Sequence, residues 1–128
     1  MGGAGVNGTR SIHARIVRDT CVTCHLGEDD THTFEAVESA CVGCHKDADG
    51  FDINGSQTEV EALIAQVGDK LEAKGLLDEE GHPVVGEHPA AQARALWNYI
   101  FIAIEDGSLG VHNPVYTEAL LKKALEDL

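Results

Sequence analysis

Cys21-Val22-Thr23-Cys24-His25 and Cys41-Val42-Gly43-Cys44-His45 hold all four cysteines of the chain in two pairs, each followed at once by a histidine. C-x-x-C-H is the attachment signature of c-type haem: two thiols bond to the porphyrin vinyl groups and the adjacent histidine reaches the iron from one side. One turn of chain brings both sulfurs to one edge of the porphyrin and places the next side chain under its centre. The cysteines alone also fit the spacing of a zinc ribbon, C-x-x-C twice with sixteen residues between. That reading leaves both histidines unexplained. Two disulfides are disfavoured because all four cysteines fall within residues 21–44, whereas disulfide frameworks in small domains close long loops across the chain. The expectation is therefore two covalently bound c-type haems, one on Cys21 and Cys24 and one on Cys41 and Cys44, with His25 and His45 each binding an iron.

Each such iron needs a second axial ligand or keeps an open face, and methionine is the usual alternative to histidine. The only methionine is Met1. That leaves His13, His32, His82, His88 and His112. His82 and His88 each precede a proline in a polar loop and read as solvated. His13, His32 and His112 sit among apolar or turn residues, in SIHARI, THTF and GVHNP, and two of the three suffice.

The remaining sequence reads as helical. The 128 residues suit one domain, and with aromatic residues at 5% and a single Trp97, a core of side chains alone is thin, so porphyrins are expected to form much of it and a chain without attached haem to lack cooperative folding. Residues 1–11 are glycine-rich and read as a flexible arm, leaving 12–128 as the dihaem domain. Residues 12–46 read as loops with short helical turns. Ser56 and Glu59 match a capping box; Val60, Leu63, Ile64, Val67 and Leu71 follow at helical spacing, and Gly75 ends the pattern. Pro89 suits the first position of a second helix running to about Asp106, with Leu96–Ile104 expected as the most buried stretch. Asn113 and Pro114 open a third helix with Tyr116, Leu120, Leu121 and Leu125 on one stripe. The fold expected is mainly α: a small haem-packed domain with loops around two haems and about three helices in the C-terminal half. Asp47, Asp49, Asp52 and Asn54 invite a calcium reading, but their order misses the EF-hand register and a solvated helix-entry loop accounts for them.

Asp and Glu number 22 against nine Lys and Arg, a formal charge of −13. Such a surface repels phosphate backbones and anionic lipid, which argues against nucleic acid and membrane surfaces as partners. It suits redox partner proteins with a basic docking face. The longest apolar run, around Tyr99–Ile104, is too short to span a bilayer, and Met1–Arg10 lacks the apolar stretch of a secretion signal.

The order SIHARIVRDTCVTCH, THTF, CVGCH, a long helical stretch, ALWNYIFIAIEDGS and GVHNP resembles the C-terminal part of multihaem cytochromes c, including the pentahaem ammonia-forming nitrite reductases. The resemblance implies that His112 pairs with His25 on the first iron and that His13 pairs with His45 on the second. In that family the histidine between the motifs serves a haem attached further upstream, for which this chain has no motif. His32 is thus either free or a ligand to a haem on another chain, and chains meeting haem to haem across an interface are the accompanying expectation. The nitrite-reducing haem of the family also lies in the part without counterpart here, so nitrite reduction is not implied. Two histidines per iron leave no open site, which points to electron transfer and away from catalysis. A haem enzyme reducing nitrite or peroxide is the alternative if one iron keeps an open face. Because such haems are attached outside the cytoplasmic membrane, a periplasmic or extracellular location is expected, with the signal sequence absent from this chain.

Overall fold

Apolar stripes at helical spacing run through the second half of the chain and are missing from the first, and helix length follows that division. The computed structural model describes residues 2–26 and 33–128; over these the chain is mainly helical, with no strand among the described residues. α1 (His13–Ile16), α2 (Cys21–His25) and α3 (Ser39–Val42) are about one turn each, whereas α4 (Ser56–Ala73), α5 (Ala90–Ile100) and α6 (Pro114–Asp127) form a three-helix bundle. A 3₁₀ turn at Ile53–Gly55 leads into α4, and α5 continues as a π-helical turn over Phe101–Asp106. No helix among the described residues is long and apolar enough to cross a membrane.

The helix ends follow from local chemistry. At α4 the cap is Asp52, four residues ahead of the expected Ser56: its carboxylate accepts from the Gln57 N–H at 2.7 Å, the Thr58 N–H at 3.3 Å and the Thr58 hydroxyl at 2.6 Å. Ser56 is already inside the helix. The bond from the Thr58 hydroxyl, aided by the two backbone N–H groups, holds the Asp52 carboxyl below the usual carboxylate range. At the other end, Leu76 N–H bonds to Leu71 O at 2.9 Å and Gly75 N–H to Glu72 O at 2.8 Å. This is a Schellman motif, and Gly75 takes its left-handed position, φ 68°. Asn113 caps α6 by accepting from Tyr116 N–H at 3.4 Å, with Pro114 in the first turn.

The buried centre is not where the apolar stretch of α5 suggests. Within Leu96–Ile104 only Asn98 and Ile102 are buried, and Trp97 and Ile104 face solvent. α6 packs against both α4 and α5 while those two share few contacts, and the fully enclosed side chains are Leu120, Leu121 and Ala124 of α6, Val67 and Leu71 of α4, and Ala95 and Asn98 of α5. The glycine-rich start, read from composition as a flexible arm, is bonded to this bundle. Buried Asn98 accepts from Ala4 N–H at 2.7 Å and donates to Ala4 O at 3.0 Å, and the Trp97 indole N–H donates to Gly2 O at 3.0 Å. Glycine is needed for closeness: a Cβ on Gly3 would stand 2.3 Å from Leu120. By contrast, none of the described residues from Ile12 to Gly50 is buried.

Asp127 joins α5 to α6, accepting from Arg94 at 2.6 and 2.9 Å and from Lys123 at 2.8 Å. The Arg94 hydrogen bonds, then Lys123, hold its carboxyl at about 2. A carboxyl that binds its proton more weakly when folded adds stability above its unfolded pKa of about 3.9, and that stability is lost as pH falls through the folded value. Asp127→Asn is therefore expected to melt below wild type at pH 7, with the gap closing as pH falls to 2 and below. A deficit as large at pH 2 as at pH 7 in thermal denaturation would assign the effect to shape and not to charge.

Candidate haem-binding site

Both motifs fold into single helical turns. In α2 the sulfur-bearing residues Cys21 and Cys24 stand three apart, and His25 follows within the same turn. In the second motif the turn beginning at α3 continues through bonds from Cys44 N–H to Cys41 O at 3.1 Å and from His45 N–H to Cys41 O at 2.8 Å. α2 and α3 touch, and Val37 N–H bonds to Cys24 O at 2.9 Å. Partial burial, and then neighbouring Cys24 and Glu38, push the Cys41 thiol above its ordinary pKa. Entry to α2 is strained: Asp19 and Thr20 take positive φ of 57° and 38°, which is uncommon for any residue but glycine and most costly for a β-branched one.

The structure brings the four expected ligand histidines together in two pairs. The ring centres of His25 and His112 lie 6.0 Å apart, and those of His13 and His45 lie 6.3 Å apart. His32 lies outside the described residues. His82 is exposed and has Asp78 at 3.6 Å, and the His88 ring spends its Nε2 on Val84 O at 3.0 Å. Neither joins a pair.

Hydrogen bonds fix the tautomers of three paired rings. His25 Nδ1 is 2.8 Å from Phe34 O, His13 Nδ1 is 3.0 Å from Val111 O, and His112 Nδ1 is 2.8 Å from Asp106 Oδ1. Carbonyls and carboxylates only accept, so each Nδ1 carries the proton and donates it. Each Nε2 is then left with its lone pair available to a metal, as is usual when the second ring nitrogen of a ligating histidine is tied down. Phe34 does more than accept: its ring stacks on His25 at 4.7 Å with 4° between the planes, and its own φ of 60° is left-handed.

The donor chemistry fits an iron held between each pair of imidazoles. A first-row metal about 2 Å from each nitrogen, with each nitrogen about 1 Å from its ring centre, sets two centres about 6 Å apart. Ile12, Ile16, Val22, Phe34 and Val42, all on the motif half, are 45% to 61% exposed and offer apolar surface of the kind a flat macrocycle covers. Four-sulfur zinc would need all four thiols around one point; among the described residues no group of three or more His, Cys, Asp or Glu side chains converges that way. Beside the second motif a cleft of about 530 Å³ is lined by Cys44, His45, Asp47, Asp49 and Asp52, in the size range of cofactor clefts.

Asp106, Ser108, Phe34 and Val111 belong to the site and were not assigned a role from the sequence. The one available signal was the acidic residue in EDGSLGVHN, six positions before His112, and nothing in the spacing says that the intervening turn folds back. Compared with protein-family models, with curated proteins and with solved structures, the chain matches none.

Composition leads one to expect no cooperative folding without haem, but the enclosed side chains belong to α4, α5, α6 and the turns beside them, so replacing Cys21, Cys24, Cys41 and Cys44 with Ser is expected to leave a cooperative helical melt. Amides of Val67, Leu71, Leu120 and Leu121 should exchange slowly in that variant, and those of residues 12–50 should exchange fast. Loss of the cooperative transition would place the stabilising core in the motif half instead.

Proposed function

We propose that the chain is a dihaem c-type cytochrome that passes single electrons between protein partners. The observation that carries this reading is the pairing of imidazoles: each C-x-x-C-H histidine has a second histidine about one iron's width away, His112 for His25 and His13 for His45. The same partners are implied by the resemblance to multihaem cytochromes c. An iron porphyrin between two histidines supplies one-electron exchange between its ferric and ferrous forms.

The protein's part is to anchor, orient and enclose. Cys21, Cys24, Cys41 and Cys44 would hold the macrocycles covalently, keeping them in place in a segment where none of the described residues is buried. The Nδ1–H bonds of His13, His25 and His112 select the neutral tautomer whose lone pair is on Nε2 and fix the rings. With His25 and His112, or His45 and His13, as its ligands, a bound haem iron would have no coordination position left for nitrite or peroxide, which supports an electron carrier over an enzyme. Two imidazole donors without methionine favour the ferric form and a potential below that of His/Met cytochromes. Haem attachment of this type implies a periplasmic or extracellular location. The acidic cleft beside His45 supports docking of a partner with a basic face, in an encounter that slows as salt rises.

Absorbance of the oxidised and reduced holoprotein tests the reading: sharp low-spin α and β bands from both haems are expected. His112→Gly should turn only the haem on Cys21 and Cys24 high-spin, half of the total, and His13→Gly only the haem on Cys41 and Cys44. A response at the opposite haem would break the pairing, and a wild-type protein without a Soret band would end the proposal.

A further inference from the structure

The two histidines supplied from outside the motifs are held by acceptors of different charge. His13 donates to a neutral backbone carbonyl, that of Val111, at 3.0 Å. His112 donates to the carboxylate of Asp106 at 2.8 Å. His25 also meets a neutral carbonyl, that of Phe34, so of these three acceptors Asp106 alone carries a charge. Its position is built. It ends the π-helical turn after α5, and its side chain is 18% exposed. Its second oxygen accepts from the Ser108 hydroxyl at 2.5 Å and the Ser108 N–H at 3.3 Å. Ser108 in turn accepts from His112 N–H at 3.3 Å, and its carbonyl is bonded by Gln57 of α4 at 3.2 Å.

A hydrogen bond to a carboxylate is about twice as strong as one to a neutral acceptor. It draws the Nδ1 proton outward, enriches Nε2 and makes the ring a stronger donor to a metal. A stronger donor favours the more highly charged ferric ion over the ferrous one. Around the second pair the fixed charges of both signs are exposed and screened, Arg10 and Arg15 on the side of His13 and Asp47 and Asp49 on the side of His45, while Asp52 is engaged with the start of α4.

We propose that Asp106 sets the internal order of electron flow, making the iron held by His25 and His112 the lower-potential centre and directing electrons toward the iron held by His45 and His13. The inference rests on the dihaem reading. In the transfer, one electron given to the first centre by a reduced one-electron protein donor leaves that ferrous iron and reduces the ferric iron of the second. No proton and no ligand moves. The first centre returns to ferric, and the second passes its electron to an oxidised partner at the acidic cleft.

The test is a potentiometric titration of the holoprotein at fixed pH and salt, followed by electron spin resonance. The imidazole planes lie at 47° in the first pair and 83° in the second, which splits the iron d orbitals differently and gives each ferric centre its own signal. In wild type the first centre should be the harder to reduce. Asp106→Asn, which keeps the shape and removes the charge, should ease its reduction about tenfold, equivalent to 59 mV for one electron, with the second centre unmoved. Asp106→Glu should restore part of the difference. The proposal is overturned if the first centre is the easier to reduce in wild type, or if Asp106→Asn leaves it unmoved or shifts both centres alike. It is equally overturned if Asn and Glu shift it equally, or if Asn turns it high-spin, since Asp106 would then be positioning His112 and not tuning it. All of these leave the dihaem reading standing; a wild-type protein carrying no haem removes both.

Discussion

The hydrogen bond from His13 Nδ1 to the Val111 carbonyl ties the N-terminal segment to the turn that presents His112. A second bond, from Asn113 Nδ2 to Thr9 O at 2.7 Å, makes the connection two-runged. Because Val111 and His112 are neighbours in the chain, the ring offered to one motif histidine is held by the backbone that offers the ring to the other. The latch is itself fixed on three sides: Asn113 begins α6, Ser108 is bonded by Gln57 of α4, and residues 2–4 are seated on Asn98 and Trp97 of α5. The three long helices therefore act as a frame that delivers two imidazoles at set positions. The described residues of the motif half form only single helical turns, too short to be stable alone in water, and the bonds from His13 and to Thr9 tie them to that frame.

Of the five described non-glycine residues with positive φ, Asn54 and Leu109 lie in the helical half and the other three lie around the first motif. Asp19, Thr20 and Phe34 all take positive φ, each at a cost of order 1–3 kcal/mol. The returns are specific. The backbone bend at Asp19 and Thr20 lets the Thr23 hydroxyl bond back to the Arg18 carbonyl at the start of α2, and the unusual conformation at Phe34 coincides with its carbonyl on His25 Nδ1 and its ring flat against the imidazole. One residue thus fixes both the tautomer and the plane of His25, which a residue in extended backbone at the same position would not do with both its ring and its carbonyl.

How much of this could be read from the sequence depended on the range of the interaction involved. α4, α5 and α6 were legible because their stripes and terminators are local: Leu71 and Gly75, or Asn113 and Pro114, declare a helix end within a few residues. The cap of α4 was misplaced because a 3₁₀ turn at Ile53–Gly55 brings Asp52 over the helix start, and a capping pattern assumes that the cap is contiguous. Composition alone does not register the bond between Ala4 in the glycine-rich start and Asn98, ninety-four residues away. His25 and His45 follow from a five-residue motif. His13 and His112 came through elimination and resemblance, since no spacing rule links residue 13 to residue 45 or residue 25 to residue 112. Asp106 was out of reach because its reach to His112 depends on how the Gly107–Gly110 turn folds back.

The charge of −13 hides a separation that the fold turns into two kinds of electrostatics. Met1–Arg18 contains Arg10, Arg15 and Arg18 and no Asp or Glu, so the remaining residues hold all 22 acidic side chains against six basic ones, nine less three. His13 lies in the basic stretch, while the loop after His45 is acidic and exposed. Surface charges of this kind act over about a Debye length, roughly 8 Å in physiological salt, and govern how fast a partner arrives. Asp106 acts at hydrogen-bond distance from a largely enclosed position, where mobile ions do not intervene. On the proposed dihaem reading, salt therefore weakens the approach of a partner without erasing a difference between the two centres. Rate and direction of exchange would then be set by different carboxylates, and each could change without disturbing the other.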